Sequence, residues 1–222
     1  MTTPSKDQAS LPTTAGQAIK AMYSHPSPAI LSALAVFFIS LRFWLGNWQW
    51  QDLIAPLVIL LVWPFWEWAI HVFLLHYKPT TVFGKKLDLP LPKKHRQHHR
   101  EPWDLSNIFI HLGVFPIVVP IIVALFYALM PTVELATSAL AMFFLLALNY
   151  ELTHFLAHIN WCPPLSYYRR RVRQHRLHHF RNENLWWGVS MGMGDVILGT
   201  APAVNDAERS PTVDNLHGLG RY

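Results

Sequence analysis

The stretch MFFLLALNYELTHFLAH (142–158), followed directly by INWCPPLSYYRRRVRQHRLHHF (159–180), decides how this chain is read. The first part is an almost unbroken apolar run and the second is strongly basic. Histidines close both: His154 and His158 end the apolar run, and His175, His178 and His179 end the basic one. The same junction occurs earlier in the chain. His71 and His76 close an apolar segment, and His95, His98 and His99 lie in the basic stretch that follows. Ten of the 13 histidines therefore fall into four groups, each where an apolar segment meets a basic one. Neutral imidazole is the commonest metal ligand among side chains. Ten are too many for one ion and about right for two, so the pattern predicts a dinuclear metal site at a membrane surface.

Composition points the same way. The 222 residues are within reach of one domain. They are 52% hydrophobic and only 14% charged, against roughly 25% charged in soluble domains. A soluble helical domain is disfavoured because the apolar segments are too long and too free of charge. The net charge of +5 raises the possibility of nucleic acid. The Lys and Arg residues cluster between apolar segments, however, which points to lipid headgroups instead. A single cysteine, Cys162, excludes an intrachain disulfide and any cysteine-based zinc or iron–sulfur site within one chain.

The expected organisation is a mobile cytosolic tail over 1–28, one membrane-embedded domain over 29–200 and a loose tail over 201–222. Four apolar segments, at about 29–45, 53–75, 108–130 and 133–158, are each long enough to cross the hydrocarbon core as a helix. Arg42 lies inside the first and would have to snorkel. The loops after the first and third segments carry no Lys or Arg. Lys78–Arg100 carries seven and Arg169–Arg181 carries six. That contrast predicts that both basic stretches, and both termini, face the cytoplasm. All four histidine groups then meet at one membrane face.

On a helix, residues three and four apart share a face. His95/His98/His99, His175/His178/His179 and His154/His158 all have that spacing. His71 and His76 are five apart, about 140° around an ideal helix. They share a site only if the helix ends, tightens or bulges between them; otherwise each faces a different metal. Glu67, Glu151 and Asp195 are candidates to hold imidazole N–H groups from outside the ligand set. Arg96, Arg100, Arg173, Arg176 and Arg181 would repel a cation, so ligation must be tight or these charges must point away. His25, His111 and His217 read as ordinary interfacial residues. Imidazole suits iron, zinc, copper and nickel. One zinc would leave most of the histidines idle, whereas two five- or six-coordinate irons would use them all. The paired Glu-x-x-His pattern of carboxylate-rich di-iron bundles is absent.

HVFLLH (71–76), HRQHH (95–99), HFLAH (154–158) and HRLHH (175–179), with NENLWWGVSMGMGDVILGT (182–200) after them, resemble the membrane fatty acid hydroxylase/sterol desaturase superfamily. The spacing is nearest the branch that contains acyl-chain 2-hydroxylases of sphingolipids, and the resemblance covers roughly residues 53–200. It implies an all-α integral membrane fold of about four transmembrane helices, with a cytosolic helical cap carrying the dinuclear site. It implies the ten histidines as ligands of two iron ions (zinc being the expected substitute in purified samples) and dioxygen as co-substrate. The activity implied is hydroxylation of an unactivated C–H bond in a bilayer lipid, with no catalytic residue beyond the ligands. Asp195 and Gly199 match an Asp-x-x-x-Gly-Thr ending that implies a structural turn. Relatives with a fused haem domain carry a His-Pro-Gly-Gly signature that these residues lack, so a separate ferredoxin or small haem protein is the expected electron donor. Trp63, Trp66, Trp68, Trp186 and Trp187 are candidates to line substrate access, or else form the interfacial aromatic belt.

Alternatives remain within the same chemistry: a sterol or lipid desaturase, or a carotenoid or headgroup hydroxylase. A metal transporter would place its site near the bilayer midplane, and a zinc hydrolase would show His-Glu-x-x-His; neither fits. A bacterial inner membrane is favoured over the endoplasmic reticulum, with the site on the cytoplasmic face.

Overall fold

The computed structural model describes residues 10–214 and 216. Among them, four helical stretches are long and apolar enough to cross a membrane: Pro26–Leu45, Trp50–Leu75, Leu105–Leu129 and Val133–Ala157. These are the four segments that hydropathy predicts, within a few residues at each end. The α-helices, in chain order, are α1 (Ala15–Tyr23), α2 (Pro26–Leu45), α3 (Ile54–Ala69), α4 (Pro90–Arg100), α5 (Phe115–Leu129), α6 (Val133–Ala157), α7 (Ser166–Phe180) and α8 (Met193–Ile197). A small antiparallel hairpin, β1 (Thr80–Val82) with β2 (Lys85–Leu87), is the one β element among the described residues. Its two-residue turn, Phe83-Gly84, has φ of 50° and 73°, as right-twisted strands require.

The chain divides into two compact units. The first is Met22–Trp63 with Phe109–Leu152. Within it, α6 is the most buried of the spans and α5 the least. Small residues Ala136, Thr137, Ser138 and Ala139 are buried along α6, which lets helix backbones approach closely. Thr132 starts α6, its hydroxyl accepting from Leu135 N at 3.2 Å. Arg42 does not snorkel. Its side chain is buried, pairs with Asp52, donates from Nε to Ser138 Oγ at 3.0 Å and from Nη1 to the Gly46 carbonyl at 2.6 Å, and lies 3.8 Å from the centre of the Trp48 ring. Its charge is satisfied internally because Asp52 folds back in a short 3₁₀ turn, Trp50–Leu53, capped by Gln49.

The second unit comprises the residues up to Ala21, Pro64–Ile108 and the chain from Thr153 onward. It contains α4, α7, α8 and the hairpin. Proline at the first helical turn begins α4. The segments expected as loose tails are structured where they are described. Ala15–Tyr23 is helical, with Leu11, Ala18 and Met22 buried. Ala207, Val213 and Leu216 are also buried. The Arg181 guanidinium donates to the Ala207 carbonyl, and Ser210 N donates to the Arg181 carbonyl at 2.8 Å. Isolated apolar anchors of this kind leave no periodic trace in a polar stretch. Residues 1–9, 215 and 217–222, including His217, lie outside the described residues.

Candidate metal centre

All ten grouped histidines are buried, and all belong to the second unit. Their ring nitrogens sort into two sets of five, each set within 4.8 Å of one another: His71, His76, His95, His99 and His178 in the first group, His98, His154, His158, His175 and His179 in the second.

The spacing of His71 and His76 is resolved by a bulge. The helix continuing α3 widens into a π-helix over Ile70–Leu75. His76 N donates to the His71 carbonyl at 3.1 Å, an i to i+5 bond. The widened turn brings the two imidazole centroids to 5.0 Å. On α4, His95 and His99 join the first group and His98 the second. On α7, His178 joins the first group and His175 and His179 the second. Each helix thus supplies both groups, and the groups adjoin, with the His99 and His179 rings stacked at 4.1 Å.

The donor set fits metal ions. Nε2 atoms face one another at 3.1 Å (His71/His95), 3.2 Å (His95/His99), 3.0 Å (His98/His154) and 3.0 Å (His175/His179). Two nitrogens about 2.1 Å from one ion and at right angles lie about 3.0 Å apart. Protons cannot account for all these contacts, because a neutral imidazole has one N–H. His71 uses its Nδ1–H on the Trp187 carbonyl at 2.6 Å, and His178 uses its own on the Leu185 carbonyl at 2.8 Å. Their Nε2 lone pairs therefore point into the cluster. Among the described residues, His178 Nε2 is buried with no hydrogen-bond partner, an arrangement a cation would complete.

Electrostatics favours the ligating form. Burial holds the imidazoles of His95, His98, His99, His158, His175, His178 and His179 well below the ordinary histidine range, and repulsion between neighbouring imidazoles adds to it. At neutral pH these rings are neutral, ready to bind a metal without first losing a proton. Three of the nearby cations, Arg96, Arg176 and Arg181, are engaged elsewhere. Arg96 pairs with Asp88 and donates to the Tyr77 carbonyl. Arg176 donates to the Ala157 and Ile159 carbonyls at 2.8 and 2.6 Å.

The three candidate carboxylates turn out to hold backbone. Asp195 accepts from Trp187 N at 2.9 Å, Gly188 N at 2.7 Å and the Thr200 hydroxyl at 2.6 Å. It thereby fixes the Trp187 peptide whose carbonyl orients His71. Glu67 accepts from Ser190 N, Ser190 Oγ and Met191 N at 3.0, 2.5 and 2.8 Å, gripping the same loop. Glu151 bonds Ser27 and accepts from Ile110 N at 2.9 Å, within the first unit. The loop can pass this close only because of its glycines. A Cβ on Gly194 would stand 2.4 Å from the Pro64 carbonyl, and one on Gly188 2.2 Å from the Met191 carbonyl. Gly199, at φ +73°, makes the turn that lets Thr200 N reach the Asp195 carbonyl at 2.8 Å. The carbonyls of Leu185 and Trp187 carry no side-chain signal in sequence. The glycine-rich run ending in Asp195 is the one feature that could have marked their loop.

The tryptophans divide. Trp187 is buried against the first group, its ring centroid 4.5 Å from that of His76 and 5.3 Å from that of His71. Trp186 is buried at φ +54°, and its amide donates to the Thr200 carbonyl at 2.8 Å. Trp63 is buried, edge-on to Phe143. Trp68 donates to Thr200 Oγ1 at 3.0 Å. Trp66 is exposed. Of the remaining histidines, His25 stacks on Phe109 and His111 caps a 3₁₀ turn through Gly113 N.

Four span-length helices and two adjoining five-imidazole groups define the class: a helical, histidine-rich protein of membrane-spanning type whose centre is compatible with a dimetal site. Comparison with known sequences makes this specific. The chain belongs to the fatty acid hydroxylase family, whose profile matches residues 56–200. It is 26% identical over 155 residues to the dihydroceramide fatty acyl 2-hydroxylase FAH1 of Arabidopsis thaliana, covering 67% of this chain and 62% of that protein. It is 30% identical over 145 residues to the fatty acid 2-hydroxylase of Mus musculus, covering 64% of this chain and 37% of that one. The chain thus spans less than two thirds of the length of these relatives. Among solved structures, full-length scs7p, with only its hydroxylase domain visible, matches with a TM-score of 0.69 at 24% identity, over 83% of this chain and 68% of that chain. That likeness shows the fold.

Proposed function

We propose that this protein is a dioxygen-dependent lipid acyl-chain hydroxylase that binds one iron ion in each five-histidine group. The observation that carries the reading is the division of ten buried imidazoles into two adjoining sets of metal-binding spacing. Family membership and the names of the relatives, which are fatty acid and fatty acyl 2-hydroxylases, support an acyl chain as substrate. When bound, the two ions supply the redox chemistry that places one atom of dioxygen into a C–H bond, the other atom leaving as water. The overall change takes up two electrons and two protons. The chain's own contribution is orientation and dryness. The Trp187 and Leu185 carbonyls fix the His71 and His178 tautomers, Asp195 and Glu67 hold the loop bearing those carbonyls, and Trp187 covers one flank of the first group. The distribution of Lys and Arg supports a site on the cytoplasmic face, and we assign the protein to a bacterial inner membrane.

Lipid mass spectrometry of cells with and without the protein tests this. The expected result is a gain of one oxygen in one lipid class, lost in His98→Ala (second group) and His178→Ala (first group). A loss of two hydrogens instead would make the protein a desaturase. Full activity with full iron content in both variants would refute the ligand assignment.

A further inference from the structure

The hydroxylase reading requires electrons from outside, and the metal ligands are buried. This inference rests on that reading and asks where the electrons enter. Helix α7 has two faces. His175, His178 and His179 point into the metal centre. On the adjoining face, Arg169, Val172, Arg173, Arg176, Leu177 and Phe180 line a depression of about 480 Å³. Their spacing of three and four residues is that of one helical face. The floor is apolar and the rim cationic. Arg169 and Arg173 are exposed, and neither forms an ion pair among the described residues. Arg176 is held to backbone carbonyls. An apolar centre with a charged rim is the anatomy of a protein-docking patch.

The same face is a short route to the centre. Phe180 is 40% exposed, and its ring centroid is 6.1 Å from that of His179. It stacks on Trp103 at 5.4 Å, and Trp103 in turn lies 6.4 Å from His158. A single layer of aromatic side chains therefore separates the surface from two ligands of the second group. A lipid headgroup would use the arginines but has no use for this proximity.

We propose that the Arg169/Arg173/Phe180 face of α7 docks a small acidic one-electron carrier protein, which delivers electrons to the second histidine group. Complementary charge steers such an encounter and makes it salt-sensitive. The test uses the full chain in neutral phosphatidylcholine nanodiscs, a plant-type [2Fe–2S] ferredoxin as probe, and the double variant Arg169→Glu/Arg173→Glu. Binding is read on zinc-loaded protein, so it does not depend on turnover. The association rate is expected to fall on the order of tenfold or more at low salt, with the difference closing near about 0.5 M salt. In the iron form, reduction by ferredoxin should slow, while reduction by dithionite with methyl viologen should match the parent. Unchanged ferredoxin binding and salt dependence would overturn the proposal. So would a defect that appears only when anionic lipid is added, because the arginines would then serve the membrane. If neither reductant supports lipid oxidation but ferredoxin binding still depends on the two arginines, the docking surface stands and the hydroxylase reading falls.

Discussion

Asp195→Asn tests how the metal centre is held. The carboxylate receives Trp187 N and Thr200 Oγ1 on Oδ1 and Gly188 N on Oδ2, and burial raises its pKa against those same bonds. An amide has one accepting oxygen. With that oxygen toward Trp187 and Thr200, the amide NH₂ meets the Gly188 N–H at a position 2.7 Å away, donor against donor. One bond to a charged acceptor is lost and one buried N–H is left unsatisfied, together about 2–4 kcal/mol. The loop relaxes by moving the Trp187 peptide. That shifts the carbonyl 2.6 Å from His71 Nδ1 and loosens the ring's aim into the first group. Loss of such an outer partner typically costs about 10–100-fold in metal affinity. The assay is metal content per chain after graded chelation, with thermal unfolding alongside. The variant should release metal at lower chelator concentration, and Asp195→Glu should not restore it because the longer acid displaces the loop. An Asp195→Asn protein with two tightly held ions and an unchanged melting temperature would refute this chain of support.

Other outcomes follow from other parts of the structure. Deleting Phe73 should turn the π-helix into α-helix and leave the two histidines four apart, still on one face; metal analysis should find the first group retained, and a depleted first group would show that the bulge does more than align them. Arg42→Met alone should destabilise by about 3–5 kcal/mol because it strands the buried Asp52 charge, whereas Arg42→Met/Asp52→Asn should recover much of that; thermal unfolding in nanodiscs separates the two. In chelated protein, the imidazoles held low by burial take up protons more readily when unfolded. Stability should therefore fall as pH drops below the unfolded value of 6.5 and level off above it. A melting temperature flat between pH 8 and pH 5.5 would contradict that, and metal should suppress the effect.

Much of this was legible in the sequence because it depends on local patterns. Hydropathy located the four spans, and the spacing of His71 and His76 left a choice between an irregular turn and two different metals, which the π-helix decides for the turn. What depends on rotation between elements was hidden. Nothing in HRQHH says that His98 parts company with His99. Asp195 and Glu67 hold peptide N–H groups and not imidazoles, and peptide N–H groups leave no letter in a sequence. Arg42 found Asp52 through a folded-back turn ten residues on, and the buried anchors Leu11, Val213 and Leu216 sit alone among polar neighbours.

Consecutive histidines on α4 and α7 serve different groups, and this ties the fates of the two ions together. A tilt of either helix that pries open one nest of imidazoles pries open its neighbour, so loading behaves as a joint event. Seating the first ion braces both helices, and the second finds its ligands already in position. A protein holding a single ion should then be scarce at equilibrium.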